Sequence, residues 1–381
     1  MVVAQFLRWI DTAKVSERAA AAAALARAYL RAEISFEDRC AAEAALTFLL
    51  DDPSWKVRYA LAEALSLSHH APAQVIGALA SDQPNVAEIV LARSPVLTDT
   101  DLIDRVAGGD GRIQTAIAMR PRLSMAVAAA IAEIGTADAC RQLLLNDGAE
   151  IAGLSYRRMA ERHGDIGAVR EAMLADRCLP PDCRHTLLMK VGEALKDSPF
   201  VVALMGGAAR AGRITRDACL KASITLIDGT GPAEQGALVE HLRIRGDLTP
   251  GFILRAVALG KIDFFGAVLV SLTGQTSQRV RSLLAAGRNG AITALFRAAR
   301  LPASMDAALL TALAVWREVA NGKRVAGAQE VTWLMLRAIN AAPGQGGPAA
   351  DCRDLAALLK SIHLDELRAN ARGHALAIAA A

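Results

Sequence analysis

Cys178, Cys183 and His185 form the densest group of metal-ligating side chains in this sequence. Zinc takes four ligands in a tetrahedron, and structural sites supply them as a close Cys pair plus a second pair elsewhere. The spacing Cys-x4-Cys-x-His brings no fourth ligand with it. Small buried cysteines and a polar helical histidine are therefore expected there, not a metal site. His69 and His70 are adjacent and so point in different directions on a helix. They are expected at a helix C-terminus, where a protonated imidazole meets the negative end of the dipole. Gly229-Thr230-Gly231 opens like a dinucleotide-binding loop, but Glu234 stands where the third glycine belongs. A turn between helices is expected instead. There is no Gly-rich loop ending in Lys-Ser/Thr, no nucleophile elbow and no His-Glu-x-x-His pair. These readings place no catalytic residue, no metal ligand and no cofactor, and an enzyme is not expected.

Charge carries more direction. Between Asp263 and Asp306 there is no acidic residue, yet Arg279, Arg281, Arg288, Arg297 and Arg300 all fall there. From Met205 to Arg300 the chain holds 13 basic and 6 acidic residues, a net +7 within a total of +4, leaving −3 for the rest. Gathered on one face, the five arginines would bind an anionic partner. The competing reading is that each solvates an exposed helix face and covers Ala and Leu with its stem. The window's aromatics, Phe252, Phe264, Phe265 and Phe296, sit among apolar neighbours. They are expected in the core and not as base-stacking platforms, which ranks nucleic acid behind a protein partner.

The elements that must carry these residues are helices. Hydrophobic residues make up 53% of the 381, aromatics only 4%, so the apolar excess is Ala and Leu, which favour close-packed helices. No alternating segment suggests a strand. The longest strongly apolar run, Phe264 to Leu272, is about half the roughly 20 residues that span a bilayer, so no membrane insertion is expected. The first residues lack the basic and long apolar regions of a signal peptide. A cytoplasmic setting with six reduced cysteines follows as the expectation. Ser35 with Asp38, Thr98 with Asp101, and Thr249 before Pro250 read as helix starts. Leu179-Pro180, Ile214-Thr215, Leu248-Thr249 and Ser198-Pro199 are each expected to precede a helix.

Asp52-Pro53 followed by Val57 and Leu61 is echoed at Asp82, Asp110 and Asp147, at intervals of 30, 28 and 37 residues. Each interval holds two short helices and two turns. The stretch from Asp52 to Leu65 is similar to the HEAT-repeat consensus, which places Asp at a turn and Arg six residues on; Asp52 and Arg58 fit. Six residues after Asp82, Asp110 and Asp147 stand Glu88, Ala116 and Gly153, so no continuous Asp–Arg ladder is expected. Over roughly residues 80 to 340 the chain resembles an uncharacterised bacterial family, a domain of unknown function. Gly246-Asp247-Leu248-Thr249, Leu254-Arg255-Ala256, Gly260, Phe264, Phe265 and Leu301-Pro302 carry that resemblance, which implies an α-superhelix and no known activity.

The expected fold is all-α, an α-α superhelix (solenoid) of HEAT-like helical hairpins. Residues 1–170 hold hairpins of this type and 171–342 repeats of a second type. A Gly/Pro linker is expected at 343–349, and a C-terminal helix and tail at 350–381. The expected function is a non-enzymatic scaffold that binds a protein partner along stacked hairpins. Nucleic-acid binding through the basic half is the first alternative, and a small-ligand regulator or enzyme with a pocket between repeats the second.

Overall fold

The computed structural model describes residues 9–10, 12–31, 35–341 and 349–380. Those residues hold 22 α-helices and no strand, so the protein is all-α. They divide into two compact units, Met1–Lys190 and Val191–Ala381. The expected linker at 343–349 lies outside the described residues except for Ala349, which begins the last helix.

The first unit begins with α1 (Val15–Tyr29), α2 (Phe36–Leu49), α3 (Trp55–Leu65), α4 (Ala73–Leu79), α5 (Pro84–Arg93) and α6 (Asp99–Gly108). It continues with α7 (Gly111–Ala118), α8 (Met125–Ile134), α9 (Ala137–Leu144), α10 (Gly153–His163) and α11 (Gly167–Ala175), and ends in α12 (Pro181–Asp197), which crosses the boundary. Polar side chains set where these helices start. Ser35 accepts from the Asp38 N–H, Thr98 forms a reciprocal capping box with Asp101, and Asp110, Ser124 and Thr136 each accept from first-turn amides. Each cap satisfies a donor that the helix leaves open. Along α3 the buried positions are Val57, Leu61, Ala62 and Leu65, a single apolar stripe, and each fully buried Leu contributes about 2–3 kcal/mol by leaving water.

The packing skips a helix each time. α1 lies on α3, α3 on α5, α5 on α7, α7 on α9 and α9 on α11, while α6, α8 and α10 stack as a second row. One core runs between the rows from Ile10 to Leu187. Ion pairs tie successive members of the first row. Arg18 of α1 holds Asp52 (Nε–Oδ2 2.7 Å), Arg58 of α3 holds Asp82 (Nη2–Oδ1 2.9 Å), and Arg112 of α7 holds Glu88 of α5 (2.6 Å). No continuous Asp–Arg ladder was expected; Asp–Arg rungs join α1 to α3 and α3 to α5, and Glu88 supplies the carboxylate of the next one. The reason is register: Arg58 donates to its own Asp52 carbonyl but pairs with the carboxylate of the following turn.

The second unit contains α13 (Pro199–Leu204), α14 (Ala208–Asp228), α15 (Gln235–Arg245), α16 (Pro250–Ala258), α17 (Ile262–Thr273), α18 (Ser277–Ala286) and α19 (Asn289–Ala298). After a 3-10 turn at Ala303–Met305 come α20 (Asp306–Ala320), α21 (Ala328–Ala341) and α22 (Ala349–Ala380). α16 is its hub. Every residue from Phe252 to Ala258 is buried, and the helix touches α17, α20, α21 and α22. Phe252 meets Phe264 and Phe265 meets Phe296 with ring centroids 6.1 and 5.9 Å apart, so the four phenylalanines are core, as expected. α22 docks through Leu359 and Ile362, both buried. Gly260 is in the left-handed region (φ 78°), and the Trp316 ring lies 3.2 Å from where a Cβ would sit, so the turn needs glycine twice over.

One expected helix start is absent. Ile214-Thr215 lies inside α14, which runs unbroken from Ala208. The matching tetrapeptide at Gly246 does end a helix, with Gly246 at φ 77°. Gly212 is instead a buried mid-helix residue, with the Lys196 stem and the Arg216 guanidinium close by.

Candidate interaction surface

The stacking of the first unit gives it two edges. At one, the turns α2–α3, α4–α5, α6–α7, α8–α9 and α10–α11 carry Asp52, Asp82 and Asp110. At the other, the turns α1–α2, α3–α4, α7–α8 and α9–α10 carry apolar residues. Phe36, Leu67, Met119, Met125, Leu145 and Leu154 are 79, 71, 57, 52, 51 and 74% exposed. On the ion-paired edge the exposed apolar residues are Phe48, Trp55, Ile134 and Ile166, each more than half covered. Hydrogen bonds join two turns of the apolar edge, α7–α8 and α9–α10. Leu123 donates to Gly148 O and accepts from the Glu150 N–H, both at 3.0 Å, joining two successive turns. Asn146 Nδ2 donates to Ala118 O and Arg120 O at 2.8 and 2.7 Å. Arg120 is buried and donates to Leu91 O and Ser94 O of the preceding layer at 2.6 and 2.7 Å.

The Cys178, Cys183, His185 group is split: Cys178 is exposed, Cys183 and His185 are buried. Burial and the nearby Asp182 push the Cys183 thiol up to about 12, so it stays protonated and is a poor nucleophile or ligand. Among the described residues no three His, Cys, Asp or Glu are grouped to hold an ion. Asp182 is taken by Arg157 and the Tyr156 hydroxyl donates to Asp176. Gly229-Thr230-Gly231 is the turn after α14. His69 and His70 lie in a turn a few residues past the end of α3 at Leu65, and not in its last turn.

All five arginines of the basic window are exposed. Arg279 and Arg281 sit early in α18, two residues and so about 200° apart around the axis. Arg288 precedes α19 and Arg297 ends it, roughly 14 Å along the helix. Arg300 follows in the left-handed region at φ 57°. Arg297 is committed to Leu301 O and Asp306. The side chains of Arg279, Arg281, Arg288 and Arg300 have no hydrogen bond or ion pair among the described residues.

Two cavities of about 510 Å³ are present. One lies between α4 and α6, over Ala73, Gly77 and Ala80 and beneath Leu97 and Asp104. The other lies between α21 and α22, lined by Gln329, Glu330, Trp333, His363 and Asn370. There, His363 Nδ1 is 3.0 Å from Gln329 O. A carbonyl only accepts, so Nδ1 is the donor in that bond.

A family model described as "Uncharacterised protein conserved in bacteria (DUF2336)" matches residues 86–342. The chain belongs to this family. The DUF2336 match runs from α5 through α21, taking in most of the apolar edge, the hub helix α16 and all five arginines. No curated protein and no solved structure matches the chain. The apolar edge escaped the sequence reading because its members stand at helix ends. Met125 and Phe36 are first helical residues, and Met119 and Leu145 are C-cap residues. No helical period accounts for them there, and that misfit is the available signal.

Proposed function

We propose that this DUF2336 protein is a non-enzymatic cytoplasmic scaffold of HEAT-like, solenoid-type hairpins, and that the apolar edge of its first unit docks a protein partner. The observation that carries the reading is the contrast between the two edges. Six large apolar side chains, each more than half exposed, line one of them, and hydrogen bonds join its α7–α8 and α9–α10 turns. Monomers rarely leave such residues in a row, and a row of them marks an interface. The two joined turns also lose little entropy on binding. The test is affinity capture from a bacterial extract with the wild type and with Leu67→Ser, Met119→Ser and Leu154→Ser combined. One partner retained by the wild type and lost by the variant, at equal melting temperature, is the expected outcome. A partner that the variant keeps overturns the reading.

Two alternatives have observations of their own. The unpaired Arg279, Arg281, Arg288 and Arg300 favour an anionic partner such as nucleic acid. Gel-shift binding that falls with salt and disappears on replacing Arg279, Arg281 and Arg288 with Glu would replace the scaffold reading. The cavity at Trp333 and His363 favours a small ligand, detected as a rise in melting temperature across a metabolite panel.

A further inference from the structure

The helical hairpin of α12 and α14 ends in a part of the second unit that the fold leaves uncovered. Its arms run antiparallel: a Cβ on Gly192 would sit 2.3 Å from Cys219 Sγ, and Lys196 and Arg216 both approach Gly212. α13, Pro-Phe-Val-Val-Ala-Leu, is the tip, and none of its residues is buried. Phe200 and Leu204 are 75 and 69% exposed, and Leu195 and Ile214 on the arms are 48 and 42% exposed. The chain leaves the tip through Gly206 and Gly207, both at positive φ, whose amides donate to Ala203 O and Val202 O. That pairing closes a helix with a left-handed residue. An added Cβ at either glycine meets open space, so no other part of the described chain closes over that end of the tip.

Behind the tip stands a basic collar. Arg210, Arg213 and Arg216 are exposed on the first turns of α14, and their side chains have no hydrogen bond or ion pair among the described residues. The acids nearby are spoken for or set back. Asp197 faces Lys196 at 3.9 Å, Asp217 binds Lys221 at 2.8 Å, and Glu193 lies a turn further down, level with Cys219. The free charge of the collar is therefore positive.

The geometry points to the α13 tip as a docking point for an anionic lipid surface. The order along the hairpin matches the order of a membrane interface. Apolar side chains come first, to enter the acyl boundary, and arginines follow within about 12 Å, where the phosphates lie. Their long stems let the guanidiniums reach those phosphates while Phe200 and Leu204 are immersed. An acidic partner helix would instead need a groove to lie in, and no other part of the described chain closes over that end of the tip to form one. This surface is separate from the apolar edge of the first unit, and either assignment can fail alone.

The experiment is co-sedimentation of the full chain with phosphatidylcholine vesicles, with and without phosphatidylglycerol, at low salt. Binding to the anionic vesicles alone is expected. F200S/L204S should abolish it at an unchanged melting temperature, since both residues are exposed. R210E/R213E should weaken it by at least roughly fivefold per arginine and flatten its salt dependence. No sedimentation with anionic vesicles, or sedimentation that both variants retain, overturns the proposal. So does dimerisation that F200S/L204S abolishes in a chain that ignores lipid.

Discussion

An alanine methyl at position 192 would fall 2.3 Å from Cys219 Sγ, and nothing else crowds it that closely. Gly192→Ala should therefore destabilise the second unit by about 1–3 kcal/mol through overpacking. Cys219→Ala should restore most of that loss in the double variant, because the Cys219 Cβ is 4.0 Å away. Urea melts of the four chains of this cycle decide it, and a double variant no better than Gly192→Ala would sink the account. At Asp52 the argument is electrostatic. Burial pushes its carboxyl up, but hydrogen bonds from Arg18 and the Ser54 N–H, with the charges of Arg18 and Arg58, outweigh burial and hold it below the ordinary range. A depressed carboxylate stabilises the fold above its unfolded pKa, about 4, and that contribution fades as pH falls through the folded value. Asp52→Asn should destabilise the fold at neutral pH, because partly covered Arg18 then loses its charged partner and keeps only the Ala13 carbonyl. The gap to wild type should shrink at about pH 3.

At the scale of the element, arginines recur in one geometry. Arg120 forks onto Leu91 O and Ser94 O, Arg162 onto Ala132 O and Gly135 O, and Arg317 onto Leu284 O and Gly287 O. Each time the acceptors are a C-cap carbonyl and the one three residues before it. A helix end leaves these carbonyls open and carries partial negative charge, so a planar cation with two parallel donors answers both needs. Arg120→Ala should cost about 3 kcal/mol and Arg120→Lys nearly as much, because an ammonium cannot span two carbonyls. If lysine rescues fully in thermal melts, charge alone is at work. Little of this was legible in the sequence, since the partners lie 26 to 33 residues apart. What could be read was local. Thr98 with Asp101, and Thr249 before Pro250, started helices as their chemistry requires. Ile214-Thr215 misled because a threonine that caps a helix and one inside a helix are the same residue type.

The molecule as a whole contains two cores, one of buried residues from Ile10 to Leu187 and another from Ile224 to Ile362. Cores that share no residue need not melt together. Scanning calorimetry should resolve two transitions, with Asp52→Asn lowering one and Gly192→Ala the other. A single transition that both variants shift equally would show that the units melt as one. The all-α class was readable from Ala and Leu in place of β-branched residues. The site was not, because exposure at a helix end depends on what the neighbouring layers leave uncovered.

The arginine forks also constrain how such a chain can change in length. Each joins a helix end to a residue about one hairpin further on, so inserting or deleting a few residues between them separates donor from acceptor. Removing one whole hairpin with its arginine loses only that fork and leaves the others in register. Lineages that lengthen or shorten the array should therefore do so one hairpin at a time.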